Sequence, residues 1–130
     1  MMLVLSILNS CESVSYPYRA DPISQEESFE ELMIIDAVDR KARAIAAANQ
    51  FLNDGPEDTV AAILIENESN CDVIIKIFGI KNYTLPIPKN GKNFLVVPKG
   101  NYSLKGEVCN TIYNSTKNIT QSINLKLSVN

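Results

Sequence analysis

Ser122-Ile123-Asn124-Leu125-Lys126-Leu127-Ser128-Val129 alternates polar and apolar residues without a break. Successive side chains of an extended strand point to opposite faces, so Ile123, Leu125, Leu127 and Val129 share one apolar face. The same period of two sets Tyr102, Leu104 and Val108 against Ser103, Lys105 and Glu107. Further strands are expected at Val60–Glu66, Val73–Phe78, Tyr83–Ile87 and Phe94–Val97. Turn formers separate them: Asn67-Glu68-Ser69-Asn70, Gly79, Lys89-Asn90-Gly91 and Pro98-Lys99-Gly100-Asn101. Gly100 suits a turn that needs positive φ. Six or seven short strands at this spacing predict an antiparallel sandwich or small barrel over residues 58–130.

Upstream the period changes. Ile35, Val38, Ala42, Ile45, Ala48 and Leu52 recur every three or four residues, which places them on one helical face. A helix is expected across residues 24–54. Ser24 with Glu27, or Ser28 with Glu31, supplies a capping box for its start. Asp54-Gly55-Pro56 stops it, with Gly55 able to take a left-handed cap. The commoner outcome for such an apolar stripe is packing on the sandwich, and the Ala-rich section also permits pairing with another copy. The predicted class is therefore α+β: a long N-terminal amphipathic helix followed by a small antiparallel β-sandwich of six to seven strands.

Before the helix, residues 12–23 read as a tether, with Ser13, Ser15, Pro17 and Pro22 and no apolar period. Residues 1–11 open with an apolar run from Met1 to Leu8, too short to span a bilayer but suited to a secretory signal. Leu8-Asn9-Ser10-Cys11 resembles the lipobox of bacterial lipoproteins, and its Leu-x-Ser-Cys form looks like lipoproteins of Bacteroidetes. No Lys or Arg precedes the run, which departs from the usual signal pattern. The resemblance implies cleavage before Cys11 and lipid attachment on it, palmitate included, so the chain would be anchored to the membrane without spanning it.

In an exported chain, Cys71 and Cys109 are natural disulfide partners, and the odd third cysteine is then Cys11. The alternatives are weaker. A structural zinc site needs four ligands, and a redox pair usually reads Cys-x-x-Cys.

The stretch Ile65–Tyr113 resembles an uncharacterised domain found in flavobacterial lipoproteins. Its matching features are Asn70-Cys71-Asp72-Val73-Ile74, Tyr83 and Leu85 before Pro88, and Gly91. Pro98-Lys99-Gly100-x-Tyr102-x-Leu104 follows, then Val108-Cys109 with Tyr113. The resemblance supports the address and the cysteine pairing, and implies no activity.

The 130 residues carry 15 acids against 12 bases, no His and no Trp. Without His there are no Ser-His or Cys-His nucleophile pairs and no His-bearing zinc sites. A net charge of −3 argues against a nucleic-acid binder. Residues 1–58 hold 11 acids and 4 bases, and residues 59–130 hold 4 acids and 8 bases. Lys76, Lys81, Lys89, Lys92, Lys99 and Lys105 form a candidate face for an anionic glycan or acidic partner. The plainer reading is solvated lysines that keep sheet edges from pairing. The helix acids, Glu26–Glu31, Asp36 and Asp39, read as a solvated face rather than a catalytic carboxylate pair. No phosphate loop or EF-hand is present, and neither a cofactor nor a metal is expected. The expectation is a cell-envelope lipoprotein with a binding or structural role, membrane-attached and without catalytic activity. The alternative is a secreted, non-lipidated effector or inhibitor.

Overall fold

A computed structural model describes residues 28–129. Helix α1 spans Phe29–Asn53. Seven strands follow: β1 (Val60–Asn67), β2 (Val73–Phe78), β3 (Tyr83–Ile87), β4 (Lys92–Pro98), β5 (Gly100–Val108), β6 (Thr111–Ile119) and β7 (Ile123–Leu127). They form a three-stranded sheet in the order β4-β1-β7 and a four-stranded sheet in the order β3-β2-β5-β6. The predicted α+β sandwich is the fold. The lipobox, the tether and the Ser24/Glu27 capping box lie outside the described residues.

One core joins the sheets. Ile63, Ile65, Leu95, Val97 and Leu127 from the first meet Ile75, Ile77, Ile87, Tyr102 and Leu104 from the second, all buried. Each fully buried aliphatic side chain contributes roughly 1.5–3 kcal/mol. Tyr102 places its ring in this core and donates its hydroxyl to the Pro98 carbonyl at the rim, so burial leaves no polar group unpaired.

Four local expectations are corrected. First, the sandwich is not wholly antiparallel: β7 runs parallel to β1, with Ile63 opposite Ile123 and Asn67 opposite Leu127. A tight hairpin would force antiparallel pairing. The chain instead crosses from β6 in one sheet to β7 in the other. Ser122 fixes that crossing: its Oγ accepts from the Ala62 amide and its own amide donates to Asp54. Second, β6 was not among the expected strands. Asn114, Ser115, Thr116, Lys117 and Asn118 give it little apolar signal, and pairing with β5 from Gly100–Ile119 to Val108–Thr111 makes it a strand.

Third, α1 docks through a different face from the expected one. Leu32, Asp36 and Ala47 are buried, while Val38 and Leu52 are 85% and 81% exposed. The helix lies along β4 and β1 and reaches β3. Ala62 belongs to the outer face of β1 yet is wholly buried, and its small side chain lets the helix approach. Fourth, Gly55 does not form a left-handed cap. The helix ends on Asp54 in extended conformation (φ −62°, ψ 125°), its carboxylate taken by Ser122. The start is the second expected one: Ser28 caps the Glu31 amide and the Glu31 side chain accepts from the Ser28 amide. Gly100 does adopt positive φ, at 154°.

Candidate functional site

Three features carry polar groups arranged by the fold. The first is the junction of α1 with β4. Asp36 was expected on a solvated face, but its side chain is only 4% exposed. It accepts from Arg40 Nη1 at 3.0 Å, from Asn93 Nδ2 at 3.0 Å and from Arg43 Nη2 through a short ion pair. The guanidinium groups continue to the strand: Arg40 donates to the Lys92 carbonyl and Arg43 to the Phe94 carbonyl, both stacking over the Phe94 ring. A carboxylate this buried is tolerated because both of its oxygens find donors, two of them cationic. Burial pushes its pKa up, but the Asn93, Arg40 and Arg43 contacts outweigh that and hold it below the ordinary 3.8. A carboxylate so held is a stable anion and an anchor, not a proton carrier.

Beside this junction a cleft of about 360 Å³ opens between α1 and β3. Ile35, Leu85, Pro86 and Val96 make its apolar wall, and Asp39, Arg43 and Tyr83 its polar rim. Burial raises the Tyr83 phenol pKa above 10.0. Arg43 bridges Asp36 and Asp39, so the charges at this mouth are already paired.

The second feature is on the outer face of the four-stranded sheet. Lys76 of β2 stands directly opposite Lys105 of β5, and Lys105 opposite Asn114 of β6. A shallow concavity of about 450 Å³ over this row is completed by Ile74, Gly106 and Ile112. Gly106 faces the core side of the strand, where a Cβ would meet the buried Ile75 side chain at 2.6 Å and the Ile74 carbonyl oxygen at 2.7 Å. Glu107 of β5 lines the same concavity, so the row carries an acid beside its two lysines. The other candidate lysines do not join this pair. Lys81 lies between β2 and β3, Lys89 lies in the β3–β4 turn, Lys92 opens β4, and Lys99 donates to the Gly55 carbonyl. The six lysines are thus distributed over the domain, and Lys76 with Lys105 is the pair that the sheet brings together.

The third feature is the disulfide between Cys71 and Cys109, with Cα atoms 5.5 Å apart. It closes the ends of β2 and β5 beyond the last laddered pair, Lys76–Lys105. Cys109 (φ 48°) and Asn110 (φ 70°) both adopt left-handed backbone and join β5 to β6 in a two-residue turn. Asn tolerates that conformation and Cys does so less readily. On the other side buried Asn67 organises the loop. Its Nδ2 donates to the carbonyls of Cys71, Ile87 and Pro88, and its Oδ1 accepts from the Ser69 amide and hydroxyl. Cys11 lies outside the described residues.

Sequence reasoning missed the Asp36–Asn93 junction and the Asn67 hub. A signal for the first existed in Asp36/Arg40 and Asp39/Arg43, two acid–base pairs four residues apart. Asn67 is legible only as a turn former, since its reach to Ile87 and Pro88 in a second turn has no local signal.

Among the described residues no group of His, Cys, Asp and Glu could hold a metal ion, and no helix is long and apolar enough to cross a membrane. The fold and its anchors define a class: a disulfide-closed β-sandwich strapped by an N-terminal helix through a buried ion-pair junction. The chain belongs to the DUF6759 family, described as a domain of unknown function, whose model matches residues 37–130. The match begins inside α1 and covers every strand, a wider span than Ile65–Tyr113. No curated protein matches the chain.

Proposed function

We propose that the chain is a non-catalytic binding or structural domain of the bacterial cell envelope, exported and anchored by lipid on Cys11. The observation that carries this reading is the Cys71–Cys109 disulfide. It fits an oxidising compartment and leaves Cys11 as the remaining cysteine, at the end of an apolar run and in a lipobox-like setting. The multiply paired Asp36 anchor supports a scaffold rather than a catalytic role. For a partner, the excess of lysines in the β domain, 8 bases against 4 acids over residues 59–130, suits an anionic envelope glycan, met electrostatically.

The test is the intact, non-reduced mass of the protein from its host's membrane fraction. A chain starting at Cys11, carrying acyl mass and two hydrogens lighter than its reduced form, is expected. A chain retaining Met1 with three free thiols sinks the reading. A cleaved chain without acyl groups favours a secreted effector or inhibitor.

A further inference from the structure

Helix α1 has two faces of opposite character. Leu32, Asp36, Arg43 and Ala47 turn toward the sheets. On the far side Ile34, Val38, Lys41, Ile45, Ala48 and Leu52 follow at intervals of four, three, four, three and four residues. That alternation is the seam of a two-helix coiled coil. At about 100° per residue the seam lies roughly opposite the docked face, so the sandwich behind the helix does not obstruct it. Ile34 is 71% exposed and Ile45 56%.

We propose that this stripe is the contact surface for a second copy of the same chain, with the two α1 helices antiparallel about a two-fold axis level with Arg43. Three observations select that occupant. The first is area: the stripe with Ile35 leaves on the order of 600 Å² of apolar side chain in water, close to the roughly 800 Å² per partner of a stable interface. The second is register. A parallel pair would set Lys41 against Lys41 in the middle of the seam. The antiparallel pair sets Ile34 against Leu52, Val38 against Ala48 and the Lys41 stem against Ile45, and it opposes the helix dipoles. The third is the flanks. Ala37, Ala42 and Ala44 border the stripe and let two backbones approach closely. A lipid surface fits less well: interfacial helices line their polar flanks with Lys and Arg, whereas Glu30, Glu31 and Asp39 are exposed here beside Lys41.

Sedimentation equilibrium of the full 130-residue chain, from micromolar to hundreds of micromolar, tests this. A dimer is expected. Val38→Glu raises its dissociation constant roughly a hundredfold, because the charge enters two symmetric layers, and Val38→Leu retains the dimer. Val38 is exposed in the monomer, so helicity and the monomer's melting midpoint stay unchanged in both variants. A photo-crosslinking residue at Ile34 captures the segment around Leu52 of the other copy. A chain monomeric throughout overturns the proposal, whether or not it floats with anionic vesicles. A dimer that survives Val38→Glu overturns it too. Crosslinks from position 34 to the segment around Ile34 overturn the antiparallel register.

Discussion

Asn93 of β4 donates its side-chain amide to Asp36 of α1 across 3.0 Å, and both side chains are buried. The same amide donates to the Pro86 carbonyl of β3 at 2.7 Å. One side chain therefore ties the helix to the adjacent edges of both sheets. This fixes the rotation of α1 about its axis, turning Asp36 inward and Ile34 and Val38 outward. Asp36→Ala takes one acceptor from the Asn93 amide and from two guanidinium groups, which keep their carbonyl partners on β3 and β4. We expect it to cost about 2–3 kcal/mol, less than a fully buried pair because Arg40 and Arg43 keep some contact with water. Urea unfolding checks this. Asp36→Asn, which keeps an acceptor, loses less.

The same carboxylate sets an acid limit. Its pKa in the folded chain lies below the ordinary 3.8, so the folded state favours its ionised form. The stabilisation is fully present above the unfolded carboxylate value of about 3.9 and is lost as pH falls through the lower folded value. Melting midpoints should hold steady from neutral pH to about 5 and then fall below about 4. Asp36→Asn removes that part of the fall. Equal acid slopes in the two proteins would place the titration elsewhere.

The strands with a strong period of two were legible, because burying one face dictates alternation whatever the partner. Val60–Glu66 and Val73–Phe78 match β1 and β2 to within a residue. Strand β6 was not legible, since its strand state comes from nine register partners in β5 and not from its own side chains. The helix was legible in kind and in its end at Asn53, but not in rotation. Apolar periodicity assigns Val38, Ile45 and Leu52 to the sheet. A buried ion-pair network, whose partner Asn93 is 57 positions from Asp36, reverses that assignment. The disulfide partners followed from cysteine arithmetic, whereas the Asn67 hub depends on two turns brought together by folding.

The Cys71–Cys109 bridge spans 38 positions and closes sheet ends that backbone pairing leaves open. Chain-entropy arguments assign a loop of this length about 4 kcal/mol. Reduction should lower unfolding stability by about 2–4 kcal/mol and leave far-ultraviolet circular dichroism folded in the absence of denaturant. Loss of the β signal on reduction alone would mean that the domain depends on the bridge to fold at all.

Gly79 follows β2 where Tyr102 fills the core rim. A Cβ at Gly79 would meet Tyr102 Cδ1 at 2.4 Å and the Asn101 carbonyl oxygen at 2.7 Å. The Tyr102 ring is wedged among β-strand side chains with its hydroxyl held by Pro98, so it has little room to withdraw. Gly79→Ala should therefore cost about 1–3 kcal/mol. Gly55, whose Cβ would come no closer than 4.0 Å to a backbone oxygen, tolerates Ala within about 0.5 kcal/mol. Paired thermal melts read the contrast.

Asn67 distinguishes a hub from a space-filler. Its amide nitrogen serves the Cys71, Ile87 and Pro88 carbonyls at 2.8, 3.2 and 3.2 Å. Asn67→Ala takes a donor from these acceptors and the acceptor from the Ser69 amide in a site that is 1% exposed, for an expected loss of about 2–3 kcal/mol. Asn67→Asp has the same size but directs a buried negative charge at three carbonyl oxygens, so it should be worse than Ala. The Cys71 carbonyl then keeps only the Ser69 hydroxyl as donor, so thiol–disulfide exchange at Cys71 should also accelerate in both variants. The order wild type, Ala, Asp in urea midpoints, with faster reduction by a small thiol, confirms that Asn67 holds the bridge in place. An aspartate variant as stable as the alanine one would show that the donor contacts carry little, and that burial of the side chain alone sets this loop.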